Sequence, residues 1–138
     1  MSAISLLREH AEGVHLNGSG PGRRRDNRLW AQRVDRRREC VVVRVEGELD
    51  AAVSAEFFET VDRALQSPCD AVVIDLRAAR FLSLRAAVRL GALRRDAVGG
   101  RPDLRIVAGG PGVERALEVT GVRSLFPRYS SMRTALDA

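Results

Sequence analysis

The chain contains no lysine. All 23 of its basic residues are arginine, in a length of 138. An all-arginine set matches GC-rich coding sequence and carries little functional weight. Histidine is almost as scarce: His10 and His15 are the two in the chain. Both stand near its start, which leaves no histidine for general acid–base chemistry in a core. The two cysteines, Cys40 and Cys69, are too few for a disulfide framework or a zinc site. Aromatic residues make up 4%. None is interleaved with the arginine runs, so the stacking platforms of a single-strand nucleic-acid binder are missing. No apolar run approaches the roughly 18 residues that span a bilayer. The opening segment carries Arg8, Glu9 and Glu12 and has no apolar core of a secretory signal. A cytoplasmic setting is the expectation, with no membrane insertion and no nucleic-acid partner.

What is present is ordinary globular composition, 45% hydrophobic and 30% charged, in a length that suits one domain. The net charge of +5 is unevenly placed. Residues 1–39 hold nine arginines against five acids, and residues 40–138 hold fourteen against thirteen. The dense runs are Arg23-Arg24-Arg25 and Arg36-Arg37-Arg38. Residues 13–28 are rich in glycine and read as a linker. Ala3 to Ala11 suits a short helix that is unstable alone. Residues 1–28 are therefore expected to be a flexible basic extension, with the domain over 29–138.

Within 29–138 the element types alternate. Leu29 to Val34 reads as a strand, followed by a polar turn at Asp35 to Arg38. Cys40 to Val45 is β-branched and strand-like. Val53, Phe57, Val61, Ala64 and Leu65 recur at helical spacing until Ser67-Pro68. Ala71 to Leu76 is almost wholly apolar, as in a parallel strand covered on both faces. Ala86, Leu90, Leu93 and Ala97 mark a second helix over 84–97, closed by Gly99-Gly100. Leu104 to Ala108 is a further buried strand, and Pro111 opens a helix that Gly121 closes. Ser124 to Phe126 suits a short edge strand. Ser130 or Ser131 can cap a last helix. The fold class is α/β: one domain with a mostly parallel sheet of four to five strands and flanking helices.

Candidate chemistry is sparse. Gly109-Gly110-Pro111-Gly112 sits between strand and helix, but it lacks the Lys-Ser/Thr of a phosphate loop and the spacing of a dinucleotide fingerprint. A small nucleotide-binding protein is carried as an alternative on that feature. Asp50 and Asp75 stand at strand ends, where ligands gather in open α/β sheets. Neither has a nearby His, Lys or Cys. Ser83 has no base partner in sequence. No enzyme, cofactor or metal is expected. Cys40 and Cys69 form a candidate redox pair if their strands run side by side, given a Cα separation under about 7 Å.

Several segments together resemble the STAS family of anti-sigma-factor antagonists. Val41 to Glu46 followed by Gly47-Glu48-Leu49-Asp50 is similar to its strand and Gly-Glu-Leu-Asp signature. Val72-Val73-Ile74-Asp75-Leu76-Arg77 is similar to its apolar strand. Phe81-Leu82-Ser83 stands where the family has Phe, an aliphatic residue and Asp, before Ser. Val113 to Tyr129 and Ser130 to Leu136 fit its closing elements. The resemblance covers roughly 29–137. It implies a bacterial transcription regulator that binds an anti-sigma factor, usually of histidine-kinase-like ATPase fold, and so frees a sigma factor. A stand-alone STAS subunit of a transport or lipid-trafficking complex is the alternative within the family. A homodimer is left open.

The resemblance also implies the site. Asp50 carries over as a partner contact in the loop after the second strand. Leu84 falls where the family has the serine that its partner phosphorylates, and leucine cannot take a phosphate. Ser83, one residue earlier, is the substitute. Arg85 and Arg89 project from one side of the same helix. Asp50, Ser83, Leu84, Arg85 and Arg89 are thus the expected partner-binding residues, facing an acidic surface.

Overall fold

The computed structural model describes residues 3–4, 28–35 and 39–138. Strand β1 is Ala3–Ile4, β2 is Arg28–Asp35 and β3 is Glu39–Leu49. Helix α1 (Ala51–Leu65) leads to β4 (Ala71–Leu76) and β5 (Ala79–Leu82). Helix α2 (Leu84–Ala97), β6 (Asp103–Ala108) and α3 (Pro111–Val119) follow. A 3₁₀ turn at Arg123–Leu125 and helix α4 (Met132–Asp137) complete the order.

The sheet runs β1-β2-β3-β4-β6, with β5 paired to the far end of β3. β2 and β3 form an antiparallel hairpin, while β3–β4, β3–β5 and β4–β6 are parallel. The α/β class with a mostly parallel sheet is what the alternation of elements predicts. β3 is the central device. It pairs with β4 through Arg44, then shifts register at Gly47 and pairs with β5 instead. Gly47 has φ +90°, a conformation that other residues rarely adopt. Its N–H donates to the Ala78 carbonyl at 3.1 Å.

Period two splits β3 between two faces. Val41, Val43, Val45 and Leu49 join the main core with Val72, Ile74, Leu76, Leu104 and Ile106. Helix α1 adds Phe57, Phe58 and Val61, α2 adds Ala86, Ala87 and Leu90, and α3 adds Val113 and Leu117. The opposite face is thinner. There α4 sets Ala135 and Leu136 against Cys40, Ala71, Val73 and Val107. Beside α4 this face leaves a groove of about 460 Å³ over Val34, Val42, Arg44 and Glu46.

Arg94 braces the outer edge strand. Its guanidinium donates to the Leu125 carbonyl at 2.9 Å, the Leu104 carbonyl at 2.8 Å and Asp103 Oδ1 at 2.7 Å. Arg105 holds the other Asp103 oxygen at 2.9 Å. Burial alone would push the Asp103 carboxyl up. The hydrogen bonds from Arg105 and Arg94, with their charges, outweigh it and hold the group below its ordinary value.

Three sequence expectations are corrected. Ala3–Ile4 pair with β2 as a short strand rather than opening a helix; the rest of that expected helix lies outside the described residues, as do both dense arginine runs. Residues 124–126 form no edge strand. Gly121, at φ +77°, ends α3 with Val122 N–H returning to the Leu117 carbonyl at 2.9 Å, and the chain leaves as a 3₁₀ turn. The cysteines do not approach as a pair. Cys40 faces α4 and donates to the Leu136 carbonyl, whereas Cys69 lies in the main core against the Ala64 carbonyl. Neither is in a disulfide, and they belong to core clusters on opposite faces of the sheet.

Candidate functional site

The end of β3 and the end of β5 lie side by side, with Leu49 opposite Leu82. Ser83 N–H donates to the Leu49 carbonyl at 3.2 Å. The fold therefore brings Asp50 and Ser83 together at one end of the sheet, each at the mouth of a helix. Both side chains have a local task. Asp50 Oδ1 accepts from Val53 N–H at 3.3 Å, capping α1. Ser83 Oγ accepts from Ala86 N–H at 3.1 Å, capping α2. Leu84 is the first residue of α2 and is 54% exposed.

Leu84 is not alone. Phe81 on β5 and Val88 one turn into α2 are 46% and 55% exposed. The buried side of α2 is made of Ala86, Ala87, Leu90 and Gly91, so residues 84, 85, 88 and 89 are left facing outward. The result is an apolar row, Phe81-Leu84-Val88, running from a strand end along a helix. Arg85 stands exposed beside it. Arg89 is the exception among the expected contacts. Its guanidinium lies 4.6 Å from the Phe58 ring centroid and 3.9 Å from Asp62, bound toward α1. Phe81 and Val88 were missed as site residues. The spacing 84, 88 is the signal that could have found Val88, since residues four apart share a helix face, whereas Phe81 lies on a strand outside that rule.

The glycine loop at 109–112 has a different use. An added Cβ at Gly112 would sit 2.9 Å from the Arg80 carbonyl oxygen, and one at Gly109 would sit 3.5 Å from Arg77 Cα. These glycines admit the chain's own backbone, the β4–β5 connection at Arg77 and β5 itself at Arg80, where a phosphate cradle would admit a ligand. Asp75 is buried and held by Arg77 in a fork, Nε and Nη2 each at 2.9 Å. Donating to that carboxylate raises the Arg77 pKa above its ordinary value. Asp50 and Asp75 thus serve as a cap and an ion-pair partner. Among the described residues no three His, Cys, Asp or Glu side chains converge to hold a metal. No described helix is long and apolar enough to cross a membrane.

The STAS domain model matches residues 31–135. This chain belongs to the STAS domain family. It is similar to an anti-sigma factor antagonist from Mycobacterium paratuberculosis, at 27% identity and TM-score 0.66, over 79% of this chain and 92% of that one. It also shares its fold with the anti-sigma factor antagonist SpoIIAA in its unphosphorylated form, at 20% identity and TM-score 0.58, over 80% and 93%. No curated protein sequence matches the chain.

Proposed function

We propose that this chain is an anti-sigma-factor antagonist that docks on its partner through the Phe81-Leu84-Val88 row. The observation that carries this reading is the exposure of three large apolar side chains in line, at the strand-end corner where Asp50 and Ser83 meet. Full burial of such side chains is worth about 1.5–3 kcal/mol each, so the half still exposed offers roughly 1 kcal/mol apiece. Together they supply about 3 kcal/mol, or roughly 100-fold in affinity. Arg85 at the margin favours an acidic partner surface.

The partner is an anti-sigma factor of histidine-kinase-like fold, and the usual serine switch is absent. Leu84 occupies the position of the phosphorylated serine and has no hydroxyl. Ser83 has one, but it is engaged in capping α2. Residues 29–138 are the binding module, and residues 1–28 are dispensable for it.

The test is capture of partners from the protein's own cells with wild type, Leu84→Asp and a form lacking residues 1–28. A kinase-fold anti-sigma factor should be retained by wild type and by the shortened form, and lost with Leu84→Asp. The recovered partner plus ATP should leave wild type unmodified and phosphorylate Leu84→Ser. Phosphate on Ser83 of wild type would overturn the assignment of the silent switch. Recovery of a transporter or lipid-handling complex would overturn the antagonist role itself.

A further inference from the structure

The back of the sheet is covered unevenly. Helix α4 packs on β4 and β6, and the groove of about 460 Å³ lies beside it, over the β2–β3 hairpin. This groove is graded along β3. Toward the amino end of β3 it is apolar, formed by Val34, Val42, Met132 and Leu136. The first three are partly exposed and rest on the thin second cluster. Toward the carboxyl end it is charged, formed by Arg44, Glu46, Asp75 and Arg77. Val34 pairs opposite Cys40, so from its level to Glu46 is six residues of strand, or about 20 Å. That length and volume suit an extended dodecyl chain with a polar head.

The formal charges at the charged end cancel, but their exposures do not. The Arg44 and Arg77 side chains are 44% and 49% exposed, whereas Glu46 is 29% exposed and Asp75 only 3%. Each carboxylate is already engaged. Glu46 Oε2 takes Arg44 Nη2 at 2.9 Å, and the Asp75 fork uses Nε and Nη2 of Arg77. Arg77 Nη1 stands outside that fork. The sunken carboxylates hold the two guanidiniums in place, and what a ligand meets is cationic. Arginine suits a carboxylate head, because its planar donors match that group. An apolar trough that ends in two fixed cations calls for an apolar tail that ends in an anion. We propose that this groove binds a fatty acid, with the tail along Val34, Val42 and Met132 and the carboxylate at Arg44 and Arg77. Helix α2, with its apolar row, packs on the opposite face of the sheet, so the site does not depend on the docking partner.

Isothermal titration of the full chain at pH 8 with sodium dodecanoate, kept below its micelle concentration, tests this. Dodecanoate should bind at one saturable site. Decanoate is shorter by two methylenes and should bind about tenfold more weakly, because the tail is what is buried. Dodecylammonium has the same tail and the opposite charge, and should bind at least about tenfold more weakly than dodecanoate. Met132→Asp sets a charge in the path of the tail, while an acid in the first turn suits helix α4. That variant should weaken dodecanoate at least about tenfold and leave the melting temperature within a few degrees. Arg77→Gln should weaken dodecanoate about tenfold; if it fails to fold because Asp75 has lost its partner, Arg44→Gln takes its place. Leu84→Asp is the control for adhesion to the apolar row and should bind dodecanoate as wild type does. Absence of saturable binding, no dependence on tail length, equal binding of dodecylammonium, an unaffected Met132→Asp, or loss of binding with Leu84→Asp would each overturn the proposal.

Discussion

Helix α2 carries the apolar row and must sit close to the segment after α3, and Gly91 is what lets it. Two effects oppose each other in Gly91→Ala. In a helix interior, alanine is favoured over glycine by about 1 kcal/mol. At this position, however, the new Cβ would lie 2.8 Å from Val122 Cγ2 and 3.4 Å from Leu125 Cδ1. Carbon atoms prefer about 3.5–4.0 Å. Val122 is 3% exposed, and its branched side chain has no soft torsion with which to retreat. Overpacking of this kind costs about 1–3 kcal/mol. The clash wins, and Gly91→Ala should lose roughly 1 kcal/mol net in urea unfolding followed by far-UV circular dichroism. The decisive comparison is the same substitution in a Val122→Ala background. With the γ-methyls gone, the added methyl fills space, and Gly91→Ala should stabilise that background by about 1 kcal/mol. The sign must reverse between the two backgrounds. Stabilisation in both would show that contact with Val122 is not what requires a glycine.

Three further outcomes are expected. Ile74→Asp puts an unpaired charge in a strand with no solvent access and should abolish the cooperative thermal transition. Asp50→Ala should cost about 1 kcal/mol through loss of the α1 cap, and Asp50→Ser should recover most of it, read from chemical denaturation. Asp103 has a lowered pKa, so its contribution is present above the ordinary aspartate value and is lost as pH falls through the folded-state value. Wild type should therefore lose stability faster than Asp103→Asn as pH is lowered from about 4.5 to 2.5, while the difference between them stays flat near neutrality.

Much of this architecture is legible in the chain. The β-branched run 41–45 and the apolar run 71–76 specify neighbouring strands, and the stripe 86, 90, 93, 97 specifies α2, whose serine cap only the structure shows. What escaped has identifiable causes. β5 shows neither alternation nor a β-branched run, because Ala79 and Leu82 are buried while Arg80 and Phe81 are exposed. It is a strand because β3 outruns β4 and offers it an edge. The cysteine pairing failed because Cys69 lies outside the strand, where period two no longer sets its face. Cys40 lies opposite Ala71 within the sheet, but Cys69 precedes β4 and sets its sulfur against the Ala64 carbonyl at the end of α1. Of the expected contacts, Leu84 and Arg85 stand exposed on α2, while Arg89 reaches toward Phe58 and Asp62, neighbours that only the fold shows.

The separation of the two thiols sets them to different clocks. Cys40, 1% exposed, is covered by the six-residue helix α4, whereas Cys69, 7% exposed, sits just past the fifteen-residue helix α1 on the wall of a surface cavity. A thiol reagent in native buffer should therefore reach Cys69 first, with little opening of the fold. Cys40 waits for α4 to lift, so its labelling rate reports the opening free energy of that thin layer. The back of the sheet then has a clock of its own, read at one sulfur.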